Sequence, residues 1–327
     1  MQEKLLEVTN LVTRFHTDDG MVTAVNNLCF DVKPGESVCI VGESGSGKSV
    51  TSMSIMRLLN EAQSEVSGSI RFDGRELLEL SMDEMRKIRG KEIAMIFQEP
   101  MTALNPVFTC GYQISEVLHL PKAKARARAI ELMKLVGIPL PEKRVDEYPH
   151  QLSGGMRQRV MIAMALACQP KLLIADEPTT ALDVTIQAQI MELIRDLKER
   201  LNMALVLITH DMGVVAEMAE RVVVMYAGDA VEEADVKALF REPMHPYTRG
   251  LLASIPRLDT ETEELSAIEG TVPGLFEMPK GCRFAPRCAY CTARCEAEDP
   301  PLADMGNNHM VRCFHVCGQE GAGHAES

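Results

Sequence analysis

The chain has 327 residues, of which 46% are hydrophobic and 25% charged, a balance typical of globular proteins with a buried core. Its formal net charge of −13 disfavours nucleic acid as a partner, because DNA- and RNA-binding surfaces carry an excess of basic side chains. No apolar run approaches the roughly 20 residues that cross a bilayer, and the sequence opens without a signal-peptide pattern. We therefore expect a cytosolic chain that reaches any membrane through a partner.

Five short and almost wholly apolar runs punctuate the chain, and each has the length of a strand. Strands that are apolar on both sides are typical of a parallel sheet covered by helices on both faces. Two other runs, residues 21–30 and 68–72, mix polar and apolar side chains and predict a smaller antiparallel sheet with one exposed face. The five apolar runs are residues 38–41, 93–97, 172–175, 205–208 and 222–225.

Helical patterns lie between the apolar strands, so the order of elements predicts an α/β fold. Residues 99–150 contain no strong strand pattern and are interpreted as a mainly helical insertion. Two prolines mark a boundary at residues 241–247, before a polar tail whose last part, residues 318–327, is expected to be disordered. The helical patterns cover residues 49–59, 122–136, 157–167 and 185–201.

The segment after the first apolar strand reads Gly-Glu-Ser-Gly-Ser-Gly-Lys-Ser and fits the phosphate-loop pattern G-x-x-x-x-G-K-[ST] in full. Glycines let backbone N–H groups turn towards phosphate oxygens, and the N-terminus of the following helix adds a positive partial charge. The lysine suits the β- and γ-phosphates, and the last serine suits Mg²⁺. The predicted nucleotide-binding residues of this loop are Gly42, Ser44, Gly45, Ser46, Gly47, Lys48 and Ser49, the last also as a magnesium ligand.

Two carboxylates, Asp176 and Glu177, end the apolar run at residues 172–175. Asp176 is predicted to orient Mg²⁺, and Glu177 to take a proton from the water that attacks the γ-phosphate. Taken alone, the pair could equally be a solvated acidic strand end, but the phosphate loop upstream favours the catalytic interpretation.

Residues 152–159, Leu-Ser-Gly-Gly-Met-Arg-Gln-Arg, resemble the signature loop of ABC ATPases, with Met156 where that family usually has glutamine. Ser153, Gly154 and Gly155 open a helix, so they also predict a second anion-binding helix start. The resemblance implies that two ATPase subunits pair head to tail and that each ATP lies between the phosphate loop of one subunit and the signature loop of the other.

Further segments resemble other family elements. The resemblance implies that Phe15 stacks on adenine, although a core aromatic is an equally good interpretation of that residue alone. Gln98 resembles the Q-loop residue, which senses the γ-phosphate, ligates Mg²⁺ and links to the membrane partner. Asp183 closes a segment that resembles the D-loop at the dimer seam, and His210 resembles the switch histidine. Catalytic roles are thereby implied for Glu177, Gln98 and His210.

The resemblance implies an ABC-type P-loop NTPase fold. Residues 1–98 and 157–240 are expected to form the RecA-like ATP-binding core with an antiparallel β subdomain. Residues 99–156 are expected to form a helical signature subdomain, and residues 241–327 a small Cys-rich C-terminal extension.

Four segments are similar to the ATPases of dipeptide, oligopeptide and nickel importers. That similarity implies a subunit at the cytoplasmic face of the bacterial inner membrane that hydrolyses ATP to drive peptide uptake. It also implies two permease subunits, a related F-type ATPase subunit in a hetero-dimer and, indirectly, a solute-binding protein. Nickel, glutathione or antimicrobial peptides remain alternative cargoes, and a non-transport ABC ATPase is disfavoured because the chain has neither a second cassette nor a long coiled coil. The segments are residues 99–106, 148–152, 176–189 and 245–248.

Six of the chain's ten cysteines lie in residues 282–317. In a reducing compartment such a group indicates a metal site before it indicates disulfides. Four of them match the cysteines that ligate a 4Fe–4S cluster in D-type importer subunits. Four thiolates suit tetrahedral zinc equally well, and free thiols or disulfides are further alternatives. Cys291, His315 and Cys317 are additional candidate ligands. A structural rather than a redox role is expected for the group. The four matching residues are Cys282, Cys288, Cys295 and Cys313.

Overall fold

The computed structural model of the chain describes residues 4–99, 103–118, 120–180, 182–254 and 268–317. The disorder predicted for residues 318–327 lies outside the described residues, as do residues 100–102 of the importer-like segment and Ala181 of the D-loop-like segment. Among the described residues, no helix has the length and apolar character that crossing a membrane requires.

The strands are β1 (Leu6–Thr17), β2 (Gly20–Val32), β3 (Ser37–Val41), β4 (Ser64–Phe72), β5 (Arg75–Glu76), β6 (Ile93–Ile96), β7 (Leu172–Asp176), β8 (Ala204–Thr209), β9 (Arg221–Tyr226), β10 (Asp229–Asp235), β11 (Ala303–Asp304) and β12 (Met310–Val311). The helices are α1 (Lys48–Ile55), α2 (Met82–Ile88), α3 (Cys110–Glu116), α4 (Lys122–Leu135), α5 (Pro141–Arg144), α6 (Gly154–Leu166), α7 (Val184–Leu201), α8 (Met212–Met218), α9 (Val236–Arg241), α10 (Pro246–Ala253), α11 (Ala293–Ala297) and α12 (Phe314–Cys317). Short 3₁₀ turns cover Leu77–Glu79, Pro149–Gln151 and Ala285–Arg287.

The chain divides into two compact units. The first holds Lys33–Glu36 and Leu80–Leu207, and the second holds Ser37–Glu79 with the described residues of 4–32 and 208–317. The signature loop and the two carboxylates that follow β7 therefore belong to the first unit, and the phosphate loop and the cysteine group belong to the second.

In the first unit, β6 and β7 run parallel, with Ile93 opposite Leu172 and Ile96 opposite Ala175, and β8 lies beside β7. Every residue of β7 and β8 is buried, which confirms the prediction of strands covered on both faces. Helices α3, α4 and α5 lie between β6 and β7 in the chain. The described residues between 103 and 156 contain no strand.

In the second unit, β2, β1, β4 and β5 form an antiparallel sheet in that order. This confirms the antiparallel sheet predicted from residues 21–30 and 68–72. The long strand β1 was not predicted, although it is the central partner: Leu6 lies opposite both Val32 of β2 and Phe72 of β4.

A second sheet of this unit has the order β11-β12-β10-β9-β3, with β3 and β9 parallel and the other pairs antiparallel. Strand β10 escaped prediction because its sequence is acidic, yet the Glu232 and Glu233 side chains are buried. The Glu232 carboxylate accepts hydrogen bonds from the backbone N–H of Met244 at 2.8 Å and of His245 at 2.9 Å, and it lies 2.7 Å from His309 Nε2. These partners replace water, so a carboxylate can occupy a core position.

His245 is fully buried at the start of α10, where its Nδ1 accepts a hydrogen bond from the Tyr247 backbone N–H at 3.1 Å. Burial lowers the pKa of His245 from 6.5 to about 4, and this effect outweighs the Glu232 carboxylate, which favours the charged ring. The positive charges of Arg249 and Arg312 also lower the pKa, whereas a backbone hydrogen bond at Arg312 raises it. Between these two pH values the unfolded chain binds more protons at this residue than the folded chain does.

Stability is therefore expected to fall as the pH drops from 6.5 through 4, by up to about 3 kcal/mol from this one group. His245→Asn keeps an acceptor for the helix start but does not titrate, so its unfolding free energy should depend less on pH in this window. Urea unfolding of the two proteins across the window measures the difference. Parallel pH profiles would contradict the assignment to His245.

Candidate active site

The phosphate loop connects the buried strand β3 to α1 in the second unit. Gly42 has φ 156°, and a Cβ there would lie 2.1 Å from the Met225 carbonyl oxygen. Gly47 has φ 96°, and a Cβ there would lie 2.6 Å from the Ala24 carbonyl oxygen. Backbone atoms cannot move aside as a flexible side chain can, so both positions require glycine.

Two side chains of this loop indicate that it binds an anion. The Lys48 side chain is buried, and its Nζ donates to the carbonyl oxygens of Gly42 at 2.8 Å and Glu43 at 2.9 Å. Ser46 is buried, and its Oγ has no hydrogen-bond partner among the described residues. A buried hydroxyl left without a partner costs roughly 1–3 kcal/mol, and a phosphate oxygen would satisfy it. The loop thus fits a nucleotide phosphate.

In the first unit, Asp176 is buried at the end of β7, and Glu177 follows it with φ 43°. This left-handed backbone is strained for a residue with a Cβ, and such strain concentrates at functional sites. The Glu177 Oε2 accepts hydrogen bonds from Gln98 Nε2 at 2.9 Å and from Thr180 Oγ1 at 2.9 Å. Because β6 and β7 are parallel neighbours, the residues after them meet at one edge. The structure therefore brings Gln98 and Glu177 together, a contact that was not predicted from the sequence.

The signature loop also belongs to the first unit. Ser153 is the N-cap of α6, and its hydroxyl accepts a hydrogen bond from the Met156 N–H at 3.4 Å. Asp183 caps α7 in the same way, accepting from the Ile186 N–H at 3.0 Å. The buried Gln158 side chain donates to the Pro178 carbonyl oxygen, which connects α6 to the loop after Glu177.

Gly155 lies against α7, and a Cβ there would approach Ile186 Cγ2 to 2.8 Å, whereas a Cβ on Gly154 would meet Leu182 at an ordinary 3.6 Å. Both glycines lie in the first turn of α6, so both gain about 1 kcal/mol of helix propensity on conversion to alanine. We expect Gly155→Ala to be less stable than Gly154→Ala by about 1–2 kcal/mol, because Ile186 must shift.

Denaturant unfolding of the two glycine variants measures this difference. Ile186→Ala should then be combined with each glycine variant. It should lower the stability of Gly155→Ala by less than that of Gly154→Ala, because it also removes the clash with Ile186. Equal stabilities of the two single variants would show that α6 and α7 do not pack as closely as described.

Phe15 and His210 belong to the second unit, with the phosphate loop. Phe15 is half-buried on β1, paired with Val22 of β2 and Ser64 of β4. His210 is exposed and follows β8 directly, as predicted. Their roles towards the nucleotide stay predictions.

Sequence reasoning missed three side chains at these sites. Thr180 was taken only as part of the D-loop-like segment, and Tyr247 only as part of an importer-like segment. Arg287 carried no signal. Tyr247 Oη accepts a hydrogen bond from the Glu43 N–H at 2.8 Å, and Arg287 Nη1 lies 2.7 Å from Glu43 Oε2. Nothing local in the sequence marks contacts between residues so far apart in the chain.

The four cysteines predicted to bind a cluster lie in one region. Burial, with smaller contributions from the neighbouring thiols of Cys295, Cys313 and Cys288, raises the pKa of Cys282 to about 12. Among the described residues, however, no three His, Cys, Asp or Glu side chains form a group that could hold a metal ion. The predicted cluster therefore stays a prediction.

The chain is similar to known proteins. Residues 25–180 match the family model described as ABC transporter, and residues 231–295 match the model described as oligopeptide/dipeptide transporter, C-terminal region. The chain is 53% identical to the oligopeptide transport ATP-binding protein AppD of Bacillus subtilis, over 97% of this chain and 98% of that protein. It is 51% identical to the dipeptide transport ATP-binding protein DppD of Escherichia coli, over 95% of this chain and 96% of that one.

A solved structure is similar as well. The ATP-binding cassette MJ0796, solved as a dimer in a post-hydrolysis state bound to ADP and Pi, superposes with a TM-score of 0.63 at 31% identity, over 71% of this chain and 98% of that one. This likeness confirms the predicted ABC ATPase fold. The chain belongs to the ABC transporter family, among its ATP-binding proteins, and it is an ABC-type ATPase.

Proposed function

We propose that the chain is the ATP-hydrolysing subunit of an importer that carries dipeptides or oligopeptides across the bacterial cytoplasmic membrane. Support comes from the relatives, which are named as oligopeptide and dipeptide transport proteins, and from the C-terminal model match at residues 231–295. Importers of nickel, glutathione or antimicrobial peptides would use the same ATPase, and these cargoes are alternative outcomes of the test below.

In this proposal the phosphate loop binds the triphosphate. Lys48 turns its ammonium from the loop carbonyls towards the β- and γ-phosphates, and Ser46 gives its buried hydroxyl to a phosphate oxygen. Bound Mg²⁺ supplies positive charge that offsets the charge developing in the transition state. Its proposed protein ligands are Ser49, Asp176 and Gln98. The other proposed contacts of the loop come from Gly42, Ser44, Gly45 and Gly47.

The observation that carries the catalytic part of the proposal is the position of the Glu177 carboxylate. Gln98 and Thr180 both donate to the same carboxylate oxygen, Oε2, at 2.9 Å each, so two hydrogen bonds hold the carboxylate that is proposed to accept a proton from water. The buried strand β7 and the strained backbone fix where this carboxylate lies. Glu177 is thus the proposed general base, and Gln98 orients it and reports the presence of the γ-phosphate.

The remaining proposed contacts need a second ATPase subunit. Ser153, Gly154 and Gly155 would bind the γ-phosphate held by a partner's phosphate loop, with Asp183 at the seam between subunits. His210 would contact the γ-phosphate, and Phe15 would stack on the adenine. We propose that the partner is a related F-type ATPase chain.

The proposed membrane partners are two permease subunits, which would hold this chain at the cytoplasmic face. A solute-binding protein would deliver the cargo to these permeases. An apolar patch supports this contact: Val107 is 70% exposed, and Phe108 and Tyr112 are exposed with their rings stacked 4.9 Å apart. Gln113 fixes the loop that presents the patch, donating to the carbonyl oxygens of Asn105 at 2.9 Å and Phe108 at 3.1 Å. An apolar patch of this kind is typical of a protein-binding surface.

For the C-terminal cysteines we propose a 4Fe–4S cluster held by Cys282, Cys288, Cys295 and Cys313, with zinc as the alternative. Their sequence spacing and their neighbouring positions support it, and ligation would require the four thiols to turn towards a common point. Iron, sulfide and zinc contents of anaerobically purified protein test this, with Cys313→Ser as the comparison. Purified protein that contains neither iron nor zinc would contradict the proposal.

The transport proposal is tested with the complex of this chain, its partner ATPase and the permeases, reconstituted in liposomes. Addition of the solute-binding protein loaded with a dipeptide or an oligopeptide should stimulate phosphate release and peptide uptake together. Nickel, glutathione and an antimicrobial peptide serve as competing cargoes in the same assay. Uptake of one of these without uptake of peptides would reassign the cargo, and ATP hydrolysis that no cargo stimulates would contradict a transport role.

A further inference from the structure

The phosphate loop is fixed by residues far away in the chain. Glu43, the second residue of the loop, is held at three points. Its N–H donates to Tyr247 Oη at 2.8 Å, its carbonyl oxygen accepts from Lys48 Nζ at 2.9 Å, and its carboxylate pairs with Arg287. The carbonyl contacts belong to the loop itself, since the Ser46 N–H also donates to this oxygen at 3.2 Å. The other two contacts come from side chains in the C-terminal part of the chain, so the path of the loop depends on them as well.

The Arg287 contact is a two-point pair. Nη1 donates to one Glu43 oxygen at 2.7 Å, and Nη2 donates to the other at 3.2 Å. Arg287 is itself held, because Nε donates to the Glu269 carbonyl oxygen at 2.9 Å and Nη2 to that of Ile268 at 3.2 Å. The Arg287 side chain is only 5% exposed, so this pair is shielded from water in a way that surface ion pairs are not.

The turn that carries Arg287 is anchored in an aromatic cluster and flanked by cysteines. Ala285–Arg287 forms a 3₁₀ turn between Cys282 and Cys288. Phe284, just before the turn, is buried against the rings of Tyr226 at 5.1 Å and Tyr247 at 5.5 Å between centroids. The segment that bears the cysteines is thus rigidly connected to the phosphate loop.

We propose that Arg287 is a positioning residue for the nucleotide, which sets ATP affinity by holding Glu43 and, through it, the backbone path of the phosphate loop. This inference rests on the proposed binding of ATP at the phosphate loop. Arg287 touches neither the nucleotide nor the reacting atoms, so its loss weakens ATP binding and leaves the chemical step nearly unchanged.

The test is a double-mutant cycle on the full chain, with Arg287→Met, Glu43→Gln and the double variant. Each single variant should raise the Kd for a non-hydrolysable ATP analogue and the KM for ATP about tenfold, as expected for loss of one interaction of about 1.4 kcal/mol, with kcat changed less than about twofold. The Kd of the double variant should be no higher than that of the weaker-binding single variant, because both substitutions remove the same Arg287–Glu43 contact. Arg287→Lys keeps the charge and should restore part of the affinity.

Arg294→Met is the matched control, because Arg294 lies in the same C-terminal part, is 63% exposed and pairs with Glu298. It should leave Kd and KM as in the wild type. If Arg287→Met fails to fold, Glu43→Gln answers the question alone, because Glu43 is partly exposed at the loop.

Wild-type affinity in a folded Arg287→Met or Glu43→Gln protein would overturn the inference while ATP hydrolysis by the wild type kept the proposed function intact. A fall in kcat and melting temperature with KM unchanged would mean a purely structural role, and it would overturn the inference as well. A wild-type chain that does not bind the ATP analogue would refute the proposed function, and the inference with it.

Discussion

Glu177→Gln is expected to lower ATP turnover by about 10²–10⁴-fold, the usual contribution of a positioned general base. The amide has nearly the same shape, and its oxygen can still accept from Gln98 and Thr180, which lie 2.9 Å from the native carboxylate. The local structure should therefore survive while the proton acceptor is lost. Since the phosphate loop is unchanged, ATP affinity should stay within about twofold of the wild type, and the subunits should be trapped closed around ATP.

Phosphate release by the assembled complex and binding of a fluorescent ATP analogue measure the two effects separately. Glu192→Gln, an exposed carboxylate on α7 in the same unit, is the matched control and should leave both values unchanged. Turnover of the Glu177→Gln complex within a few-fold of the wild type would refute the assignment of Glu177 as the base.

Lys48→Met is expected to weaken ATP binding about 100-fold or more, and hydrolysis at cellular ATP levels should fall with it. Hydrogen bonds from a charged group contribute about 1.5–3 kcal/mol each, and Lys48 is proposed to supply them to two phosphates. Methionine keeps an unbranched side chain of similar volume in this buried position, so the loss reports charge and hydrogen bonding rather than packing.

Isothermal titration with ATP and Mg²⁺ measures the affinity, and melting temperature checks the fold. Lys87→Met, on the exposed face of α2, is the control and should bind ATP as the wild type does. A folded Lys48→Met protein with wild-type affinity would mean that the loop does not bind the triphosphate through this lysine.

The sequence alone determined elements whose pattern is local. Three of the four predicted helices agree with the observed ones to within a few residues: residues 122–136 correspond to α4, residues 157–167 to α6 and residues 185–201 to α7. The fourth, residues 49–59, overlaps α1, which ends earlier at Ile55. The phosphate loop was readable because its glycines, lysine and serine lie within one loop and need no distant partner to be recognised.

Local pattern failed where distant partners change what a residue can do. Strand β10 looks too acidic to be buried, and it is buried because Glu232 meets two backbone N–H groups and His309. The same holds for Glu43, whose carboxylate would be read from the sequence as an exposed loop charge but is paired with Arg287.

The sequence by itself thus determined the ABC-type nucleotide loop, the five apolar strands and the four long helices, and it supplied the residues proposed to do the chemistry. Only the tertiary structure decided that Gln98 and Thr180 hold Glu177, and that Arg287 holds Glu43 from 244 residues away. The physical reason is that these contacts form when separate strands and turns pack together. The side-chain spacing along the chain carries no record of them.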